Sequence, residues 1–543
     1  MSGGFLPARE DGVPAAVTAR SLLALFAACL ATAALFWSPL LLGGGLEGHD
    51  WSTHHFHYFD WTRQAFNVYG AFPLFMADAW VTPNFLANAE APGLGPLAWL
   101  LFFMPTDAYL KLLIVATSAF ALAGGWLLAR DQGAAPPVAA LVAGTYTFGG
   151  FFVSHLMIGH HWAMGAWLLP AIVLLARRAV IGSDAALFAA AALNAFTILG
   201  GQHQPFIWQN LLLGVLALLW TVRARAAYPL LRLTALVALS AALGAVKLLP
   251  LWLEFGDYAP AARIQGLPIT ALFGSLLARG QSADRIDPSI IYEFGSGWWE
   301  YAFYLGPVAL LCMFAGLAVA RRAWPLVVLG VLLLLLAIEP GPWSLIEDLP
   351  VLRSQRCPAR FLVLALFALL FAAASGLERL RRIGAASWPR GVAALAWILA
   401  LMAVGDLWVE SRPWQLAAMG QGVESRMHRP APETLRSAAG AVARLADFAP
   451  NRLVYAIEAP APGRIVLPLR YGSGADEWRV EGAQIEAANE WLALRVPAGE
   501  GQAVLRYRSP GLAIGASVSA AAWLACLGLA AVRVASRRHG SPA

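Results

Sequence analysis

The 543-residue chain is 59% hydrophobic and 13% charged, with a formal net charge of +6 and mean hydropathy +0.62. A soluble domain carries roughly 25% charged residues, so this composition excludes an ordinary soluble fold and points to a polytopic membrane protein. The basic excess gives no reason to expect a nucleic-acid partner, because the arginines sit at the ends of apolar segments, where the positive-inside trend accounts for them.

A spanning helix needs roughly 20 apolar residues. Twelve segments read as spans, at 20–42, 106–129, 134–153, 161–177, 184–200, 205–222, 229–249, 303–320, 323–339, 361–377, 389–405 and 511–532. The first is too long for a signal-peptide core and reads as a retained helix. With the N-terminus inside, the inside connections hold Arg130; Arg177 and Arg178; Arg223 and Arg225; Arg321 and Arg322; Arg379, Arg381 and Arg382; and Arg533, Arg537 and Arg538. Each is short and basic, which predicts an N-in, C-in topology. Eight of the ten histidines (His49, His54, His55, His57, His155, His160, His161 and His203) then fall on the outer side.

Long outer segments are expected at 43–105, 250–302 and 340–360. Within the first, Gly93–Met104 is apolar but too short to span and reads as a re-entrant or interfacial half-helix. Residues 406–510 read as a separate outer domain. Five strands are expected there (Arg452–Glu458, Arg464–Tyr471, Trp478–Glu481, Trp491–Val496 and Ala503–Arg508), separated by Gly, Pro, Asn and Asp. The expected architecture is thus a helix bundle over 1–405, a small antiparallel β-sandwich over 406–510, and a last span with a basic tail over 511–543. The cysteines Cys29, Cys312, Cys357 and Cys526 are far apart and suggest neither a disulfide framework nor a CxxC metal site.

The sharpest site candidate is Asp50, in Gly48-His49-Asp50-Trp51 beyond the first span. A carboxylate at the membrane–water boundary can take a proton from a hydroxyl or hold a cation against a phosphate; the alternative is a solvated loop carboxylate. Asp60, Asp78 and His49 are possible helpers. Imidazole suits zinc-like ions, so Asp50, His49, His54 and His57 are candidate ligands for a divalent metal, although no HExxH signature is present. His55, His160, His161 and His203 could instead line a polar cleft, with Glu254, Glu300 and Trp298 binding a sugar. Arg353, Arg356 and Arg360 form a basic cluster on the outer face, against the charge trend. Arginine's planar fork suits phosphate; pairing with Glu339, Glu347 or Asp348 is the alternative. Gly43–Gly48 matches GxGxxG but follows a membrane helix rather than a strand, so it is set aside. No Walker A motif is present, so an enzyme on the outer face would need a lipid-linked activated donor.

Taken together, four stretches resemble the GT-C superfamily of membrane glycosyltransferases, and within it the YfhO-like bacterial branch. They are Gly48-His49-Asp50 through Pro96; Tyr146–Phe151 with His155 and Trp167–Pro170; Leu349–Arg360, similar to a P-x-L-x-x-x-R-x-P-x-R run before a helix; and Trp491–Gly499 with Tyr507, Pro510 and a last helix. The order of these loose motifs along nearly the whole chain carries the resemblance. Two departures are the histidines at 54–57 and Ala475-Asp476-Glu477-Trp478 where a YPGW-like turn is usual.

The resemblance implies transfer of a sugar from a polyprenyl-phosphate donor to a lipid or glycan acceptor at the outer face of a bacterial cytoplasmic membrane. Asp50 would stand at the catalytic acidic position, and Arg356 and Arg360 match the arginines of the run before the helix; that Arg353, Arg356 and Arg360 face the donor phosphate is the expectation from arginine chemistry. A glycolipid transporter and a non-catalytic envelope assembly protein are the rival expectations.

Overall fold

The computed structural model describes residues 19–77, 84–255, 264–281, 297–425, 433–470, 477–489 and 491–538. Asp78 lies outside them. The chain is mostly helical. Eight stretches are long and apolar enough to cross a membrane: Ala19–Phe36, Thr106–Asp131, Pro136–Ile158, His161–Val180, His203–Ala224, Pro358–Ala385, Pro389–Ala417 and Leu512–Val532. Two bent pairs, Tyr228–Leu243 with Ala245–Phe255 at 82° and Pro307–Val319 with Arg321–Ala337 at 86°, raise the number to ten among the described residues if each is one span.

Every segment expected to span is helical, and eight or more of the twelve are long and apolar enough to cross a membrane. Asp184–Leu199 is only 16 residues. The segments expected at 303–320 and 323–339 are the two arms of a sharp bend, the second arm's helix starting around Pro325, where a missing N–H does no harm. The first bend falls at Gly244, between its two arms.

One helix is buried all round. Every residue from Leu362 to Ala374 in the helix Leu362–Ala385 is buried, as a helix apolar on all faces requires. Small residues let its neighbours approach closely: a Cβ at Gly376 would lie 1.8 Å from the Gly316 carbonyl oxygen.

At one end of the bundle lie the arginines of the expected inside connections. Arg177 and Arg178 pair with Asp131 at 3.1 and 3.5 Å, Arg223 donates to the Arg322 carbonyl, and Arg381 and Arg382 hold Glu378. The sandwich is at the other end.

The expected half-helix at Gly93–Met104 is a single 3₁₀ run, Ala98–Phe102. It is too short for a re-entrant element; Trp99 within it and Phe103 after it stand exposed.

The C-terminal domain has two antiparallel sheets built from β1 (Thr434–Arg436), β2 (Val442–Ala449), β3 (Arg452–Ala459), β4 (Gly463–Arg470), β5 (Trp478–Glu481), β6 (Gln484–Ala488), β7 (Trp491–Val496) and β8 (Gly499–Tyr507). Their orders are β1-β2-β3-β8-β5 and β6-β7-β4. All five expected strands are present. β1, β2 and β6 are additional; β6 is half-exposed along its length, which leaves little apolar alternation to read.

Two boundaries differ from expectation. The helix Pro389–Ala417 runs twelve residues past 405. Nor is the sandwich a separate body: Tyr58, Trp61, Phe75, Met76 and Phe85 of the first long loop share its core. Trp61 packs on Phe448, and Phe75 on Trp478 and Tyr507. Asn451, at φ +73°, accepts from the Leu74 N–H at 2.6 Å and donates to the Phe72 carbonyl at 2.9 Å. The sandwich therefore clamps the loop that carries Asp50.

Candidate functional site

The loop after the first span is held against the turn that follows Gly150–Ile158. A Cβ at Gly48 would lie 2.1 Å from the Met157 carbonyl oxygen, and one at Gly159 2.3 Å from the Trp51 nitrogen. Gly159 also sits at φ +120°, a conformation that favours glycine. The Trp51 indole donates to the Leu156 carbonyl at 2.9 Å. Upstream, the Gly149–Gly150 pair breaks the helix Pro136–Phe148 and admits the backbone of Tyr304, whose carbonyl accepts from the Gly150 N–H at 2.8 Å.

These contacts bring Asp50 to His160. The carboxylate meets His160 Nε2 at 2.6 Å through one oxygen and His49 Nδ1 at 2.8 Å through the other, with 18% of its side chain exposed. Burial acts to raise the Asp50 carboxyl, but the His160 bond and charge, helped by His55 and His49, hold it well below the usual carboxylate range. Gly159→Ala is expected to lower the melting temperature and displace this loop. Gly133→Ala, also at positive φ but with nothing within 4 Å of the new Cβ, carries only the backbone cost of about 1 kcal/mol. Thermal unfolding of the two variants in detergent checks the difference.

A second carboxylate joins the site. Trp51–His55 forms one π-helical turn before the helix Phe56–Tyr69, and it turns His55 inward. His55 Nδ1 meets the Gly159 carbonyl at 2.6 Å and Nε2 meets Glu90 at 3.0 Å. Glu90 lies on a loop fixed from three sides: Lys247 Nζ donates to the Asn88 and Ala91 carbonyls, Ser509 donates to Asn84, and Gly201 abuts the Glu90 carbonyl. Burial pushes Glu90 up, yet the His55 charge and hydrogen bond hold it well below its ordinary value. Burial and the His55 charge push His54 down to about 4. His161 is fully buried with neither ring nitrogen hydrogen-bonded, 4.8 Å ring to ring from His55.

Behind Asp50 and His160 lies a buried ionic network. Arg360 grips both oxygens of Glu300, donates to Gln204 at 2.5 Å and stacks on Trp162 at 4.4 Å. His155 Nε2 meets Glu300 at 3.3 Å, and its ring is 5.2 Å from that of His160.

The expected site residues thus divide. Asp50, His49, His160, His54, His55 and His161 form one cluster, and His203 opens the helix His203–Ala224 with its Nδ1 buried and unpartnered. Glu300 and Arg360, expected to bind sugar and phosphate, bind each other. Arg353 and Arg356 are exposed on the connection before that helix, Arg353 donating to the Asp348 carbonyl at 3.1 Å. Asp60 is buried and accepts from Gln64, Thr106 and Ser425, so it ties helices together rather than helping Asp50. His57 is buried and bonds the Ser52 carbonyl. Glu254 extends its charge to Tyr507 of the sandwich, and Trp298 donates to Gln281 at 3.0 Å.

Glu90 was missed by the sequence reading. Its one signal was isolation: it is the only acidic residue between Asp78 and Asp107. His155 and Lys247 also gain their meaning only from the fold.

Among the described residues, two groups have the donors for a metal ion, His54–His55–Glu90 and His155–His160–Glu300, the ligand atoms of each lying within 4.8 Å of one another. In the second, Arg360 already supplies a positive charge to both Glu300 oxygens, so a cation there would have to displace it. Asp50 belongs to neither group. No protein-family model matches the sequence, and a search of curated proteins finds no match.

Proposed function

We propose that this chain is a membrane glycosyltransferase of GT-C type. In this reading it moves a sugar from a polyprenyl-phosphate donor to a lipid or cell-envelope glycan acceptor at the outer face of a bacterial cytoplasmic membrane. The observation that carries the proposal is the Asp50–His160 pair, an ionised carboxylate backed by an imidazole just beyond the first span. The gathering of the helix-end arginines at the end opposite the sandwich supports N-in, C-in sidedness.

The acceptor hydroxyl attacks the anomeric carbon, the carbon–oxygen bond to phosphate breaks, and polyprenyl phosphate leaves with the bonding electrons. The hydroxyl proton passes to Asp50 and its imidazole partner. Of the helpers considered for Asp50, a histidine is favoured over Asp60. The exposed Arg353 and Arg356 stabilise the leaving phosphate, as fixed charges do without reorganising.

The transporter reading has less support. Transporters place charged groups near mid-membrane, whereas the buried charges here (Asp60, Arg177, Lys247, Glu300, Arg360 and Glu378) lie in loops or toward helix ends. Purified protein incubated with short-chain polyprenyl-phosphate sugars tests the proposal. Release of free polyprenyl phosphate is expected; glycolipid movement across proteoliposomes without release would favour the transporter.

A further inference from the structure

The structure assigns a transition-metal site of the zinc class to Glu90, His55 and His54, separate from Asp50. Ligand spacing comes first. Donors about 2.0–2.1 Å from a tetrahedral zinc ion lie roughly 3.4 Å apart, and His55 Nε2 and Glu90 already stand at 3.0 Å. The His54 donor is within 4.8 Å of both, so a rotamer adjustment of about an ångström brings it into a ligand position.

The outer contacts of both histidines match those of metal ligands, whose second ring nitrogen is normally held by an oxygen. His55 Nδ1 is held by the Gly159 carbonyl at 2.6 Å and His54 Nδ1 by the Thr53 hydroxyl at 2.8 Å. The His55 ring therefore turns its Nε2 toward Glu90.

An independent observation comes from His161. Burying imidazole nitrogens without partners is costly, yet both nitrogens of this fully buried ring lack one, edge-on to His55. It is a further donor whose ring stands 4.8 Å from that of His55. Glu90 contributes the anionic ligand that imidazoles alone lack, and the nearby Lys247 ammonium is held by two backbone carbonyls rather than by that carboxylate. The ion would link the π-helical turn after Asp50 to the Glu90 loop, organising the first loop whatever reaction the chain performs.

The test uses the full-length protein in detergent, stripped with chelator and titrated with Co²⁺ and then Zn²⁺. Visible absorption and elemental analysis are the readouts. Wild type is expected to bind one Co²⁺ per chain with tetrahedral absorption that Zn²⁺ displaces. Affinity should fall by about 10–100-fold or more in Glu90→Gln and His54→Ala, and stay at the wild-type level in Asp50→Asn. His54 is half-buried, so His54→Ala decides the question if Glu90→Gln fails to fold. No stoichiometric binding by wild type, wild-type affinity in His54→Ala, or loss of the ion in Asp50→Asn would each overturn the assignment. These readouts are independent of sugar transfer.

Discussion

Asp50→Asn is expected to lose sugar transfer by about 10²–10⁴-fold, the range for removing a positioned proton acceptor, while the purified protein stays folded. Asparagine keeps the size of the side chain and one oxygen to accept from His160. What it removes is the negative charge. That charge is held firmly: His160 and His49 each contact one oxygen, and the carboxyl stays ionised throughout the physiological range. A carboxylate held this low is a weak base by itself, so its imidazole partner matters. His160→Gln should therefore also slow transfer. If the steady-state rate constant kcat falls in both variants with KM little changed, the pair acts in the transition state rather than in binding.

Glu300→Gln is expected to destabilise the fold by about 3–5 kcal/mol, because it leaves the buried Arg360 guanidinium without its counter-charge. Replacing both partners, Glu300→Gln with Arg360→Met, should cost less than the single Glu300→Gln change. Desolvation of a lone charge, rather than loss of the attraction, is the larger penalty. Melting temperature in detergent checks the order of the two. The same network sets a pH dependence. Burial tends to raise the Glu300 carboxyl, but Arg360 and His155 hold it well below its ordinary value. A carboxyl lowered on folding contributes stability above its unfolded value and loses it as pH falls from there through its lower folded value. Wild-type melting temperature should therefore drop on acidification from roughly pH 5 downward, and the drop should be smaller in Glu300→Gln.

Much of the bundle was legible because hydropathy and arginine placement are local signals. Spans such as Thr106–Asp131 and Leu512–Val532 follow directly from apolar length. The bend at Gly244 was not legible, since composition fixes how apolar a segment is and not how far it runs straight. The strands β3, β5 and β7 stood out by alternation and turn residues, while β1 and β6 are short and poorly alternating. At the site, Asp50 was found from position alone, just past a span. Glu90 and His155 were not, because their partners His55 and Glu300 are 35 and 145 residues away. The pairing of Arg360 with Glu300 shows the same limit: two residues read separately as ligands for substrate satisfy each other once the chain folds.

The central claim is tested most directly by mass spectrometry of a donor panel. Wild type and Asp50→Asn, each monodisperse in nanodiscs, would be incubated with short-chain polyprenyl phosphates carrying different sugars. Wild type should consume a donor and release polyprenyl phosphate, and Asp50→Asn should not. Folded wild type that consumes none of the donors, or an Asp50→Asn protein that consumes one at the wild-type rate, would contradict a glycosyltransferase centred on Asp50.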